Sequence, residues 1–309
     1  MSSASIKLSA ANKKLDSTIP LTGSKSESNR ALIMQALSDG AVRVDNISEA
    51  ADTVTLNNIL KADKPTKVDI GPAGTAMRFL TAFYSLKESE VLLTGSERMK
   101  QRPIGILVDA LRTLGADIQY AEKEGFPPLK IRGPLQQKTP EVSIKGNISS
   151  QYISALLLIA PKLEQGLNLV IEGELTSKPY VQMTLAMMEQ AGIRHTWTEN
   201  VIRIENQGFN KSVIHVEPDW SAASYWYSIA ALSEGARIFL PGLNGYSLQG
   251  DSMITEIMAN FGISSQFRDG GVYLFKETKK VERKIFDFKE CPDLAQTVIV
   301  CCAALGHDA

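Results

Sequence analysis

The chain has 309 residues, about twice the size of a common single domain, so two domains are expected and a single small module is excluded. Hydrophobic residues make up 44% and charged residues 22%, which excludes intrinsic disorder and fibrous repeats and supplies enough apolar surface for full cores. The 33 basic residues nearly cancel the 34 acidic ones, so no global field favours nucleic acid or an anionic membrane, and an anion must be held by a local cluster.

Residues 1–14 have no apolar run after their first charges, so no secretory signal is expected. The apolar runs at 153–160 and 297–305 fall well short of the roughly 18 residues of a membrane span. A cytoplasmic monomer follows as the expectation. Cys291, Cys301 and Cys302 form no C-x-x-C pair, and the last two are neighbours in an apolar stretch, which favours reduced core thiols. His195, His215 and His307 lack carboxylates at ligand spacing, so no metal site is expected.

In chain order, one supersecondary pattern recurs. A short copy spans 24–70. The next begins at Gly74-Thr75-Ala76-Met77-Arg78 with an apolar helix to Ser85, then a strand at 91–93, a polar loop to Pro103, an amphipathic helix at 104–114 and a hairpin over 116–132. From Ser149-Ser150-Gln151 the order repeats: helix to Pro161, strand 167–171, loop 177–180, helix 181–190, hairpin 193–205. From Ser221 it repeats again: helix to Leu232, strand 237–240, loop through Gln249-Gly250-Asp251, helix 253–260, hairpin 263–276. Gly115, Gly192 and Gly262 each end the second helix of a copy, as left-handed C-cap glycines do. A fifth copy starts at Pro292-Asp293 and stops at Ala309 after its first helix, which implies a unit cut short, because each copy needs neighbours to cover its apolar faces.

Four copies open with small or hydroxylated residues at a helix start: Ser24-Lys25-Ser26, Gly74-Thr75, Ser149-Ser150-Gln151 and Ser221. Free amides and the positive dipole end suit phosphate or carboxylate there, although ordinary capping by Ser or Thr explains each one alone. Cations tip the balance. Ser26 and Arg30 share a helix face with Lys25 at its mouth, Arg78 follows Thr75 by three residues, and Arg98, Lys100 and Arg102 alternate along a loop. The spacing is not that of a Walker A loop. These clusters point to a multiply charged anion held by arginine forks.

Taken in order, Gly23-Ser24-Lys25-Ser26 with Asn29-Arg30, Ala73-Gly74-Thr75-Ala76-Met77-Arg78, Arg98-Met99-Lys100 with Arg102-Pro103-Ile104-Gly105, Ser149-Ser150-Gln151, Ser177-Lys178-Pro179-Tyr180 and Gln249-Gly250-Asp251 make the chain resemble the 5-enolpyruvylshikimate-3-phosphate synthase family over almost its whole length. The resemblance implies an α/β (α+β) enolpyruvyl transferase architecture of two domains, each an inside-out barrel-like body of βαβαββ units. A complete domain is expected over 22–216, and a second, incomplete at its C-terminus, over 1–21 and 217–309.

It further implies addition-elimination chemistry in which the enolpyruvyl group of phosphoenolpyruvate passes to the 5-hydroxyl of shikimate 3-phosphate with release of phosphate. Those two small molecules are the implied partners, with no cofactor and no metal. By motif, Lys25 touches both substrates; Ser26, Arg30, Ser149, Ser150, Ser177 and Tyr180 hold shikimate 3-phosphate; Gln151 lies between the two ligands; Gly74 and Arg98 line the phosphoenolpyruvate pocket. Asp293 is the implied general base and contacts substrate hydroxyls, whereas by itself it reads as a helix N-cap.

Pro72 stands where the family usually has Asn, and Phe79 where Pro is common. The Lys-Glu-[Ser/Thr]-Asp-Arg segment, the His-Arg pair and the last pocket lysine have no counterpart before Ala309, so little or no activity is expected of this chain alone. Two rival readings remain at this point: UDP-N-acetylglucosamine enolpyruvyl transferase, disfavoured because residues 98–103 hold no cysteine, and a non-catalytic anion-binding protein.

Overall fold

A computed structural model describes residues 13–277 and 285–306. Residues 1–12, most of the stretch read for a leader, and His307 lie outside the described residues. The first elements are β1 (Lys14–Thr18), α1 (Lys25–Leu37), β2 (Val42–Asp45), α2 (Ala51–Leu60), β3 (Lys67–Asp69), α3 (Gly74–Leu86), β4 (Ser89–Thr94), α4 (Glu97–Lys100), α5 (Gly105–Leu114), β5 (Asp117–Tyr120) and β6 (Leu129–Gly133). Next come β7 (Glu141–Lys145), α6 (Ser150–Ile159), β8 (Leu167–Glu172), α7 (Lys178–Gln190), β9 (Thr196–Thr198), β10 (Val201–Ile204) and β11 (Ser212–His215). The last are α8 (Trp220–Leu232), β12 (Gly235–Pro241), α9 (Ile254–Ala259), β13 (Ile263–Arg268), β14 (Gly271–Lys276) and α10 (Ala295–Leu305).

Three four-stranded sheets repeat one topology, β3-β4-β6-β5, β7-β8-β10-β9 and β1-β12-β14-β13. In each the first pair is parallel and the other two are antiparallel. A parallel pair requires a crossover, supplied by α3 in the first sheet and α6 in the second; a hairpin closes the antiparallel edge of all three. The recurring order read from the sequence is this βαβαββ unit.

Two strands change places. β1 directly precedes α1 in the chain yet pairs with β12, while β11 directly precedes α8 yet pairs in parallel with β2. The short first copy thus takes its leading strand from residues 212–215. This exchange accompanies a division into two compact units, Thr22–Pro218 and the segments on either side of it.

Local chemistry explains the elements. Helix α5 buries Leu107, Val108, Leu111 and Leu114 along one stripe and ends at Gly115, whose φ of 114° suits glycine alone. Helix α3 is buried from Gly74 through Ser85, as befits a helix apolar on nearly every face at the centre of its unit. Strand β7 alternates, with Val142 and Ile144 inward and Glu141, Ser143 and Lys145 outward. In the other unit, Trp220, Tyr227, Ile238, Leu240, Met258 and Leu274 form a core that also takes in the free thiols of Cys291, Cys301 and Cys302.

Three boundaries differ from expectation. Helix α7 starts at Lys178, because Pro179 sits in its first turn, where proline has no amide to lose and its φ is already helical. Residues 97–100, expected in a loop, form α4, capped by Ser96. Helix α8 begins at Trp220 with Asp219 accepting from the Ala222 amide, so Asp219 and not Ser221 is the cap. No helix among the described residues is long and apolar enough to cross a membrane.

Gly115 and Gly40 separate two costs. At Gly115 a β-carbon would stand 1.9 Å from the Gln136 carbonyl oxygen, whereas at Gly40, with φ 87°, it would meet nothing within 4 Å. Gly40→Ala is expected to cost about 1 kcal/mol, the left-handed penalty alone, and Gly115→Ala about 3 kcal/mol or more because a backbone must also move. Urea midpoints at constant m-value measure both.

Candidate anion-binding site

Four helix starts come together in the unit Thr22–Pro218. Gln151 Nε2, in the first turn of α6, donates to Thr75 Oγ1 in the first turn of α3 at 3.1 Å. From α1, Arg30 reaches Ser154 on α6 and both the Tyr180 carbonyl and Thr184 on α7. The capping reading holds for two of the four: Ser24 accepts from the Glu27 amide and Ser149 from the Gln151 amide. Helices α3 and α7 have no side-chain cap; Ala73 precedes the one, and Ser177, held at a φ of 55°, precedes the other. Orphan amides and positive dipole ends of several helices in one place favour negative charge.

Arg30 is almost fully buried. Nε donates to Thr184 Oγ1 at 2.7 Å, Nη1 to the Ser26 carbonyl at 2.8 Å, and Nη2 to Ser154 Oγ at 3.0 Å and the Tyr180 carbonyl at 3.3 Å. Every one of these acceptors is uncharged. Burial pushes the guanidinium down to about 10, so it still carries its charge at neutral pH.

A second cationic patch surrounds Gly74. A β-carbon at this residue would stand 2.2 Å from Arg102 Nη1 and 2.8 Å from Arg78 Nη1, so only glycine leaves both guanidinium groups where they are. Arg78 is buried; its Nη1 donates to the Gly74 carbonyl at 2.7 Å, its guanidinium lies over the Tyr152 ring, and its Nε has no hydrogen-bond partner. The Tyr152 hydroxyl donates to the Pro103 carbonyl at 2.6 Å and pins the segment carrying Arg102. Partial burial and then the neighbouring charges of Arg78 and Arg98 hold Arg102 below the usual arginine range. Arg98 is exposed on α4 and lines, with Pro72, Ser96, Met99 and Arg102, a cavity of about 340 Å³.

The motif carry-over assigned Arg98 and left out Arg102, the cation that stands against Gly74. Its signal was present as the last of three cations before Pro103. Thr75, which holds Gln151, was named only as part of a helix start, and Ser154 and Thr184 carried no signal because they sit within apolar helices.

Of the other assigned residues, Lys25 is exposed at the first position of α1 and Ser26 is half-buried beside it. Ser149 is exposed, Ser150 buried, and Gln151, Ser177 and Tyr180 half-buried. Asp293 belongs to the other unit, exposed in a 3₁₀ turn, Pro292–Leu294; the cap positions of that turn and of α10 are Cys291 and Leu294, so Asp293 is not an N-cap. Lys25 and Asp293 supply side chains able to move a proton, while the arginines, hydroxyls and amides supply binding and charge neutralisation. Among the described residues no group of three or more His, Cys, Asp or Glu could hold a metal ion.

Repeated βαβαββ units with cations gathered at clustered helix starts define a transferase-type site for small anionic substrates. The profile of the EPSP synthase (3-phosphoshikimate 1-carboxyvinyltransferase) family matches residues 10–68 and 61–307. A 3-phosphoshikimate 1-carboxyvinyltransferase from Bacteroides fragilis (strain YCH46) is 48% identical over 300 residues, covering 97% of this chain and 73% of that protein. One from Vibrio cholerae serotype O1 (strain M66-2) is 38% identical over 309 residues, 91% of this chain and 71% of its own length. The solved EPSP synthase of Acinetobacter baumannii has the same fold, with a TM-score of 0.69 at 20% identity over 94% of this chain and 71% of that one. The chain belongs to the EPSP synthase family.

The patch around Gly74 can be probed with inorganic phosphate. Arg102→Ala is expected to weaken phosphate binding about tenfold, the value of a charge-assisted hydrogen bond. Lys100→Ala, which removes a cation already paired with Glu97 and Glu122, should leave it within twofold. Thermal-shift titrations at fixed ionic strength read both.

Proposed function

We propose that the chain acts as a 3-phosphoshikimate 1-carboxyvinyltransferase, moving the enolpyruvyl group of phosphoenolpyruvate to the 5-hydroxyl of shikimate 3-phosphate with release of phosphate. The observation that carries this reading is the pair of cationic stations at one cluster of helix starts, Arg30 at one and Gly74 with Arg78 and Arg102 at the other. Two anions must be brought together, and their mutual repulsion is what such a site has to overcome.

In this reading Ser26, Arg30, Ser149, Ser150, Ser177 and Tyr180 bind shikimate 3-phosphate, and Gly74, Arg98 and Arg102 bind phosphoenolpyruvate. Gln151, tied to Thr75, stands between the ligands, Lys25 serves both, and Asp293 is the base that takes the hydroxyl proton. Addition to the double bond needs a proton delivered to the methylene carbon; elimination then returns the enol ether and frees phosphate. The assignment of 22–216 to one domain and of 1–21 with 217–309 to a second belongs to this proposal, as do a monomeric state and a cytoplasmic location. Three buried free thiols support a reducing compartment.

UDP-N-acetylglucosamine as acceptor is not favoured, since the matched relatives carry the 3-phosphoshikimate name. Calorimetric titration separates the readings: the chain should bind shikimate 3-phosphate and not UDP-N-acetylglucosamine, and Arg30→Ala or Lys25→Ala should each lower the affinity about tenfold or more. Binding of the nucleotide sugar alone, or of neither compound, overturns the proposal.

A further inference from the structure

Arg30 is held by more than its hydrogen bonds to the chain. A guanidinium has five N–H donors, and four bonds go to Thr184 Oγ1, the Ser26 carbonyl, Ser154 Oγ and the Tyr180 carbonyl, which leaves one Nη1 hydrogen. Ser154 and Thr184 are themselves fully buried and joined at 2.8 Å, and Thr184 Oγ1 also donates to the Tyr180 carbonyl at 2.8 Å. Each hydroxyl is therefore oriented before it meets Arg30. Aromatic rings complete the enclosure: the guanidinium carbon lies 5.7 Å from the centroid of Phe79 and 6.0 Å from that of Tyr180.

A buried arginine with a purely structural role is ordinarily matched by a carboxylate. Here none bonds to it. Arg30 makes no ion pair within 4 Å, and the nearest acid in sequence, Glu27, accepts from the Glu217 amide at 3.0 Å. A neutral enclosure fixes the direction of the fork and leaves its charge available to an incoming anion. A carboxylate in place of either hydroxyl would hold the fork as well and cancel that charge.

We propose that Phe79, Ser154 and Thr184 are positioning residues that fix the Arg30 guanidinium for an anionic group of shikimate 3-phosphate, an inference that rests on the reading of the site given above. Phe79 then has a definite task at a position where the family more often carries proline: its ring, 1% exposed, lies against the cation.

The test is calorimetric titration of the whole chain with shikimate 3-phosphate, well below the unfolding midpoint, with that midpoint recorded for every variant. Thr184→Val should weaken binding about tenfold and Phe79→Leu about fivefold, while Thr184→Ser, which keeps the hydroxyl, stays within twofold of the starting protein. A merely structural role would lower the midpoint and leave the affinity alone; that result overturns the inference, as does equal loss in Thr184→Val and Thr184→Ser. If Thr184→Val does not fold, Ser154→Ala and Phe79→Leu read the same enclosure. Failure of the unaltered chain to bind, or undiminished binding by Arg30→Ala, would instead overturn the assignment of the site to shikimate 3-phosphate.

Discussion

A cation taken out of water with only uncharged acceptors around it governs the structure of the site. Desolvating a guanidinium costs several kcal/mol, and four hydrogen bonds offset that cost only if three helices meet at the right height. Ser26 and Arg30 share a face of α1, Ser154 lies one turn into α6, and the Tyr180 carbonyl and Thr184 are one turn apart on α7. Sliding any of these helices by one turn would leave Arg30 with a missing acceptor and an uncompensated buried charge. The bond from Gln151 to Thr75 then brings α3 into the same arrangement. The register of the binding surface is in this way tied to the stability of the unit that carries it.

The second station works by concentration of like charge. Arg78 and Arg102 approach one another across the bare α-carbon of Gly74, and their repulsion, with that of Arg98, opposes the charged state of Arg102. Folding holds them there because Arg78 is fastened to the Gly74 carbonyl and the Tyr152 ring, and Tyr152 is fastened to Pro103. An anion entering such a site finds its counter-charges already in position, so little reorganisation opposes binding. Phosphate and carboxylate groups gain most from a preassembled cluster, since their own hydration is costly to remove.

Much of this was legible in the residues, and what was not has physical causes. Gly115, Gly192 and Gly262 all adopt positive φ, at 114°, 84° and 76°, because the end of a helix before a hairpin is a local event that glycine signals locally. The order of helices, strands and hairpins followed from the same kind of signal. The exchange of β1 and β11 was illegible, since either strand would satisfy the parallel edge of either sheet and the choice is made by contacts some 200 residues apart. Arg98 and Arg102 looked alike as members of a basic loop; the single turn of α4 and the anchoring of Pro103 decide which one meets Gly74. Ser154 and Thr184 were hidden by their neighbours: a hydroxyl among Ile153, Ala155 and Leu156 or among Met183 and Leu185 reads as filling until its partner is seen.

The strand exchange also bears on the placement of Lys25. The chain enters the unit at Thr22 and leaves it at Pro218, and the two passages are bonded to one another: Gly23 and Pro218 form a β-bridge, and the Ser24 amide donates to the Glu217 carbonyl at 2.8 Å. Glu27, in the first turn of α1, receives the Glu217 amide. Gly23 is crowded enough that a β-carbon would stand 2.0 Å from the Asn46 carbonyl oxygen. The first turn of α1 is therefore braced by the segment that ends the unit, nearly the full length of the unit away in sequence. Lys25 leads that turn, so the fixed base beneath this exposed, flexible amine is made by the same pairing that joins the entry and exit of the chain.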